Sequence, residues 1–232
     1  EIGRGADRFD FERFDAVYAY TVDGGELGGI ECENFNAASV KLTVHGVNTH
    51  PGSAKNKMRN AILFLHEFIA LLPPAETPAH TEGYEGFYHI NAVEGDETTA
   101  SLHMLIRDHS DAMFEKRKAF VADTVRYLGG KYGENTFDLT IMDSYRNMRV
   151  IIDKYPEIVA RAENAMRACG VTPEITAIRG GTDGARLSFE GLPCPNLSTG
   201  GMGFHSIYEA IPVKALEKMT EVLVKLVSAS EV

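Results

Sequence analysis

The feature that most constrains the fold is a repeated change of hydrophobic period between residues 37 and 148 of the 232-residue chain. Val40, Leu42 and Val44 alternate with Ser39, Lys41, Thr43 and His45, the period of two of a half-buried strand. Met58, Ala61, Ile62, Leu65, Ile69 and Leu72 then recur at helical spacing. Pro73-Pro74 stop that helix, since proline lacks the N–H and its ring clashes with the preceding turn. Residues 87–93, and then Ala100, Leu102, Met104 and Ile106, return to strand patterns. Ser110 is placed to cap a second helix with Phe114, Val121, Val125 and Leu128 on its apolar face and Gly129-Gly130 at its end. Phe137, Leu139 and Ile141 supply a fourth strand. The order β-α-β-β-α-β predicts a four-stranded sheet with two helices on one face.

The flanks read differently. Residues 16–22 form a β-branched and aromatic run that ends in Asp23-Gly24-Gly25, as a buried strand of a parallel sheet would. Asp23 then sits at a strand's carboxyl end, where open α/β sheets build ligand sites. Pro156 opens a helix through Val159, Ala162, Met166 and Cys169, and Gly170 closes it. Residues 174–178 read as a strand running into Arg179-Gly180-Gly181-Thr182-Asp183-Gly184, and residues 192–197 as another leading to His205. A final helix carries Val213, Leu216, Leu223 and Val227. The expected organisation is one α/β domain, residues 1–36 plus 149–232, interrupted by an α+β domain, residues 37–148.

Charge narrows the partners. Lys and Arg total 23 against 33 Asp and Glu, a net charge of −10, which disfavours nucleic acid and anionic membrane surfaces. No apolar run approaches the ~20 residues of a membrane span. Cys32, Cys169 and Cys194 form no C-x-x-C pair and read as reduced thiols of a cytoplasmic protein. The first residue is Glu1 rather than Met, followed by Ile-Gly-Arg-Gly, and reads as the middle of a longer chain.

Glu1, Asp23 and His205 are metal-ligand types beside glycine-rich or strand-end backbone, and zinc takes carboxylate oxygen and histidine nitrogen. Taken singly, an Asp before Gly-Gly is more often a turn former, and a His in a glycine loop more often a solvated surface residue. His50 is fixed by the Pro51-Gly52 turn behind it, which suits an exposed histidine equally well. The glycines around Arg179 and Asp183 permit close backbone approach to a ligand, or Asp183 caps the turn and pairs with Arg179. Arg107-Asp108 closes a strand and reads by default as a solvated pair. There is no P-loop, no G-x-G-x-x-G after a strand and no G-x-S-x-G elbow.

Several motifs occur together in a recognisable order: Glu1-Ile2-Gly3, Tyr20-Thr21-Val22-Asp23-Gly24-Gly25, Glu33-Asn34-Phe35-Asn36-Ala37-Ala38-Ser39 and His50-Pro51-Gly52. Thr81-Glu82-Gly83-Tyr84-Glu85-Gly86-Phe87-Tyr88, Ile106-Arg107-Asp108, Asp143-Ser144-Tyr145 and Asn147-Met148-Arg149 follow. Residues 178–185 and Leu192-Pro193-Cys194-Pro195-Asn196-Leu197, running on to His205, complete the set. Across essentially the whole chain this resembles the peptidase T family, tripeptide aminopeptidases among the dimetal exopeptidases related to aminoacylases and carboxypeptidases.

The resemblance implies a zinc-exopeptidase-like α/β catalytic domain, here partial, interrupted by a ferredoxin-like lid that serves dimerisation. It implies two zinc ions, or other divalent metals, per full-length subunit. Glu1 and His205 would ligate one ion and Asp23 the other, with a metal-bound water made acidic near neutral pH. His50 matches the lid histidine that stabilises the developing oxyanion, often in the partner subunit's site, and Arg107 and Arg179 match arginines that hold the substrate. The family's His-x-Asp motif, bridging aspartate and general-base glutamate match nothing here. The chain is therefore expected to be a C-terminal part, inactive alone and holding zinc weakly or not at all. A related aminoacylase or dipeptidase, or an inactive dimerisation module, are the alternatives.

Overall fold

A computed structural model of the protein describes residues 5–228. Its elements, in order, are α1 (Phe11–Phe14), β1 (Thr21–Gly24), β2 (Gly29–Asn34), β3 (Asn36–His45), α2 (Ala61–Leu71), β4 (Phe87–Gly95), β5 (Thr99–Asp108) and α3 (Asp111–Tyr132). β6 (Phe137–Tyr145), α4 (Arg149–Ile152), α5 (Pro156–Ala168), β7 (Glu174–Ile178), α6 (Asp183–Phe189), β8 (Asn196–Ser198) and α7 (Val213–Ser228) follow. The chain divides into two compact units, residues 36–145 and the residues that flank them.

The inserted unit is a sheet of order β4-β5-β3-β6, antiparallel throughout, with β3 paired along its length to β5 and β6. The buried halves of β3 (Val40, Leu42, Val44) and β5 (Leu102, Met104, Ile106) meet Leu65 and Phe68 of α2 and Phe114, Val121 and Leu128 of α3 in one core. Both helices thus lie on one sheet face, as the periodicity predicts. α2 begins at Ala61 rather than Met58, because the Asn60 side chain accepts from the N–H groups of Ile62 and Leu63, at 3.0 and 3.3 Å. α3 runs through Gly129-Gly130, where the sequence pattern predicts a stop, and ends before Gly133 at φ 105°. A Lys131–Glu67 ion pair of 2.6 Å and a Phe64–Tyr132 ring stack at 3.9 Å hold its last turn. That packing outweighs the roughly 1 kcal/mol that each helical glycine costs.

The flanking unit is a mixed sheet of order β1-β8-β2-β7, in which β1 and β8 are parallel, β2 and β7 are parallel, and β2 is antiparallel to β8. Ile30 and Leu197 of this sheet pack against Ala162, Ala165 and Met166 of α5 and Met219, Val222 and Leu226 of α7. The expected buried strand over residues 16–22 forms only from Thr21, and Val17 is 82% exposed. The neighbouring segment explains this. Ala19 and Thr21 donate to the carbonyls of Pro193 and Pro195, but neither proline can donate back, so a full ladder starts only at Asn196. Pro156 does open α5 and Gly170, at φ 74°, follows its end. The apolar face of α7 is Ala215, Met219, Val222 and Leu226; Val213, Leu216 and Val227, expected to carry it, are exposed.

Candidate metal and substrate site

Asp23 sits where β1 loses register with β8: Thr21 pairs with Asn196 and Val22 with Leu197, but Ser198 pairs with Gly24. One extra residue in a strand is a bulge, a device that re-aims a side chain. The displaced Asp23 N–H donates to Asn196 Oδ1 at 3.1 Å. The Asn196 amide donates in turn to the Glu31 carboxylate, across the antiparallel pairing of Glu31 with Asn196. Burial holds the Glu31 carboxyl above its usual range and the Asp23 charge adds to this, while hydrogen bonds from Asn196 and Gly25 oppose it. Neither Glu31 nor Asn196 stands out in the sequence. The available signal is an Asn inside a buried strand, a position that disfavours it.

His205 lies in the loop that leaves β8, at φ 63°, with its backbone N–H donating to Glu209 Oε2 at 2.9 Å. Paired backbone hydrogen bonds between Met202 and Ala210, at 2.9 and 3.1 Å, close the loop's base. Because β1 and β8 are parallel neighbours, Asp23 and the His205 loop emerge on one edge of the sheet. An oxygen and a nitrogen donor on one edge suit a divalent ion of zinc type as part of its shell. Among the described residues no cluster of three or more His, Cys, Asp or Glu side chains is assembled to hold a metal. Glu1, the third expected ligand, lies outside the described residues.

Arg179 falls elsewhere. β7 runs antiparallel to β8, so its carboxyl end reaches the opposite edge, where Phe35 donates to Gly180 O at 3.1 Å. The Arg179 guanidinium lies over the Phe35 ring, 5.1 Å from its centroid. Thr182 caps α6 through the N–H of Gly184.

The two expected site residues of the inserted unit are also far apart. Arg107, on β5, pairs with Ala37 near the start of β3, donates to the carbonyls of Ala38 and Ile106 at 3.3 and 2.9 Å, and lies over the Tyr145 ring. His50 follows the other end of β3, so the ten residues of that strand, roughly 30 Å, separate the two backbones. His50 Nδ1 accepts from the Gly52 N–H at 3.1 Å, which in the neutral ring puts the proton on Nε2. It lines an open cleft of about 430 Å³ with Asn48, Thr49, Pro51 and Glu97. Asn48 is tied to Glu97 at 2.8 Å.

Residues 32–136 match a family described as a peptidase dimerisation domain. The chain is 54% identical over 98% of its length to Peptidase T of Halothermothrix orenii, and 53% identical over the same share to Peptidase T of Caldanaerobacter subterraneus subsp. tengcongensis. It covers 56% of each of those proteins, so it spans little more than half the length of the curated relatives it matches. Two solved structures share its fold: an aminopeptidase PepT of Bacillus cereus (TM-score 0.81, 24% identity) and a tripeptidase of Staphylococcus aureus (0.85, 18%). Each match covers 97% of this chain and 60% of the solved one. Over 98% of its length the chain is similar in sequence to proteins of the peptidase T family, and it shares the fold of the two solved structures.

Proposed function

We propose that the chain is part of a metal-dependent aminopeptidase that releases the N-terminal residue of tripeptides. The observation that carries this is its identity of more than half, over 98% of its residues, to proteins named Peptidase T. Asp23 and His205, on one edge of the flanking sheet, are the residues that would hold zinc, His205 with Glu1 on one ion and Asp23 on the other. A bound zinc ion would lower the pKa of its water towards ~7. His50, with Nε2–H as donor, is suited to an oxyanion, and Arg107 to a peptide's carbonyl or carboxylate; Arg179, on the opposite edge of the flanking sheet from Asp23, is not assigned to that site.

The strand-length separation of His50 from Arg107 favours a homodimer. One inserted unit cannot bring both residues to the same tripeptide, so His50 would serve the site of a second copy. The match to a peptidase dimerisation domain supports that reading. A cytoplasmic location goes with it, supported by three free thiols, Cys32, Cys169 and Cys194. No helix among the described residues is long and apolar enough to cross a membrane.

A chimera tests the proposal. This chain would replace the matching part of the Halothermothrix orenii protein, and tripeptide hydrolysis would be followed with and without a chelator. The chimera should release N-terminal residues only when metal-loaded, and Asp23→Ala or His205→Ala should reduce turnover by orders of magnitude. A folded, metal-loaded chimera without tripeptide turnover, or variants that keep it, would refute the assignment.

A further inference from the structure

We propose that Asn196 and Glu31 are positioning residues that fix the Asp23 carboxylate at the metal edge, an inference that rests on Asp23 being a metal ligand. A bulge frees a side chain to point out of the sheet but also frees its backbone to move. Here that backbone is held from both sides. The Asp23 N–H, which the register shift leaves without a ladder partner, is taken up by Asn196 Oδ1 at 3.1 Å. Asn196 is 1% exposed, and its amide donates to the Glu31 carboxylate. Glu31 therefore ties Asp23 through Asn196. On the other side, Gly24 O accepts from the N–H and hydroxyl of Thr199, at 3.2 and 2.9 Å, and Gly25 O from Gly200 at 3.0 Å.

The turn is packed as tightly as it is bonded. A Cβ at Gly24 would lie 2.9 Å from Leu197 O and 3.0 Å from both Glu31 Oε2 and Ser198 Cα. The backbone of Leu197 and Ser198 leaves no room for a side chain after Asp23, and the Glu31 carboxylate lies against the same point. Burying a carboxylate is costly, and a solvated turn does not need one. The burial is accounted for if the turn must present a ligand in one orientation, because partners behind a ligating carboxylate typically set 10–100-fold of metal affinity.

Zn2+ titration of the chimera described above, with circular dichroism as the folding control, tests this directly. Asp23→Ala should lower zinc affinity, and Asn196→Ala should lower it by 10–100-fold. Asn196→Asp keeps the shape and the acceptor for Asp23 but sets two carboxylates together, so it should weaken binding similarly. Adding Glu31→Gln to Asn196→Asp restores a donor–acceptor pair at unchanged net charge and should bring affinity back to within a few-fold of the unmutated chimera. The isosteric swap remains decisive whether or not Asn196→Ala folds. No zinc binding by the unmutated chimera, or none lost in Asp23→Ala, overturns the metal reading and the proposal with it. Binding lost in Asp23→Ala but unchanged in folded Asn196→Asp, or not recovered by the swap, overturns the positioning role alone.

Discussion

Burial pushes the thiol of Cys194 up to about 11 and that of Cys32 up to about 12. For Cys32 the carboxylates of Asp153, Glu33 and Glu163 add to desolvation; for Cys194 hydrogen bonding with Thr21 opposes it. The thiolate is the nucleophile, so these two sulfurs are silenced twice, by burial and by protonation. Cys169, at the end of α5, is half-buried as Cys32 is, and Cys194 is buried. Iodoacetamide at pH 8 should therefore alkylate Cys32 and Cys194 far more slowly in the native chain than in the urea-unfolded one, read by peptide mass mapping; equal native and unfolded rates would contradict their protonation. The same shifts bear on stability. The folded pKa is raised, so the native chain keeps both protons while the unfolded chain loses them above about pH 9. Stability should be unaffected by these groups below pH 8 and fall above pH 9, by up to about 1.4 kcal/mol per pH unit per thiol. Urea midpoints between pH 8 and 10 should show this, and the Cys32→Ala, Cys194→Ala double variant should flatten the slope.

Among the elements, α7 shows how far periodicity reaches. Residues 213, 216, 223 and 227 fit helical spacing as well as 215, 219, 222 and 226 do, and only the partner surface decides between them. α5 and the flanking sheet take Met219 and Val222, at 2% and 0% exposure, and leave Leu216 at 52%. Met219→Ala should cost about 2–5 kcal/mol in chemical denaturation, while Leu216→Ala should stay within about 0.5 kcal/mol. A reversed order would mean that the other stripe packs. The inserted unit is legible because its period switches sharply between two and 3.6, with a cap residue or prolines at helix ends. The edges of the flanking sheet are less so. Whether residues 16–20 and 192–195 form a ladder depends on which segment faces Pro193 and Pro195, a non-local fact. The site divides in the same way. Asp23 and His205 stand out through their glycine context, whereas Asn196 and Glu31 are joined by a hydrogen bond across 165 residues that no local pattern encodes. Arg179 follows a strand as expected, but the direction of β7 puts it on the far edge from Asp23.

At the scale of the whole molecule, the chain enters and leaves residues 36–145 at neighbouring points. Ala37 pairs with Tyr145 across β3 and β6, and the Asn36 amide donates to the carbonyls of Asp108 and His109, at 3.1 and 3.2 Å. The ends of the inserted unit are thus adjacent and bonded within it. The gap left in the flanking unit is closed separately: fully buried Asn34 donates to Arg146 O and to Asn147 Oδ1, and accepts from the Met148 N–H at 2.8 Å. A boundary bonded on both of its sides is what a domain insertion requires. The inserted unit also has its own core, with Phe68, Phe114, Leu102 and Leu128 all fully buried, and about 110 residues suffice for independent stability. Residues 36–145 expressed alone should therefore unfold in one cooperative transition, with the same midpoint by near-UV and far-UV circular dichroism. Phe114→Ala should cost this piece about 3–5 kcal/mol, as it does a well-packed core generally. A broad transition, separate midpoints for the two probes, or a Phe114→Ala cost below about 1 kcal/mol would show that the unit depends on the flanking residues for its packing.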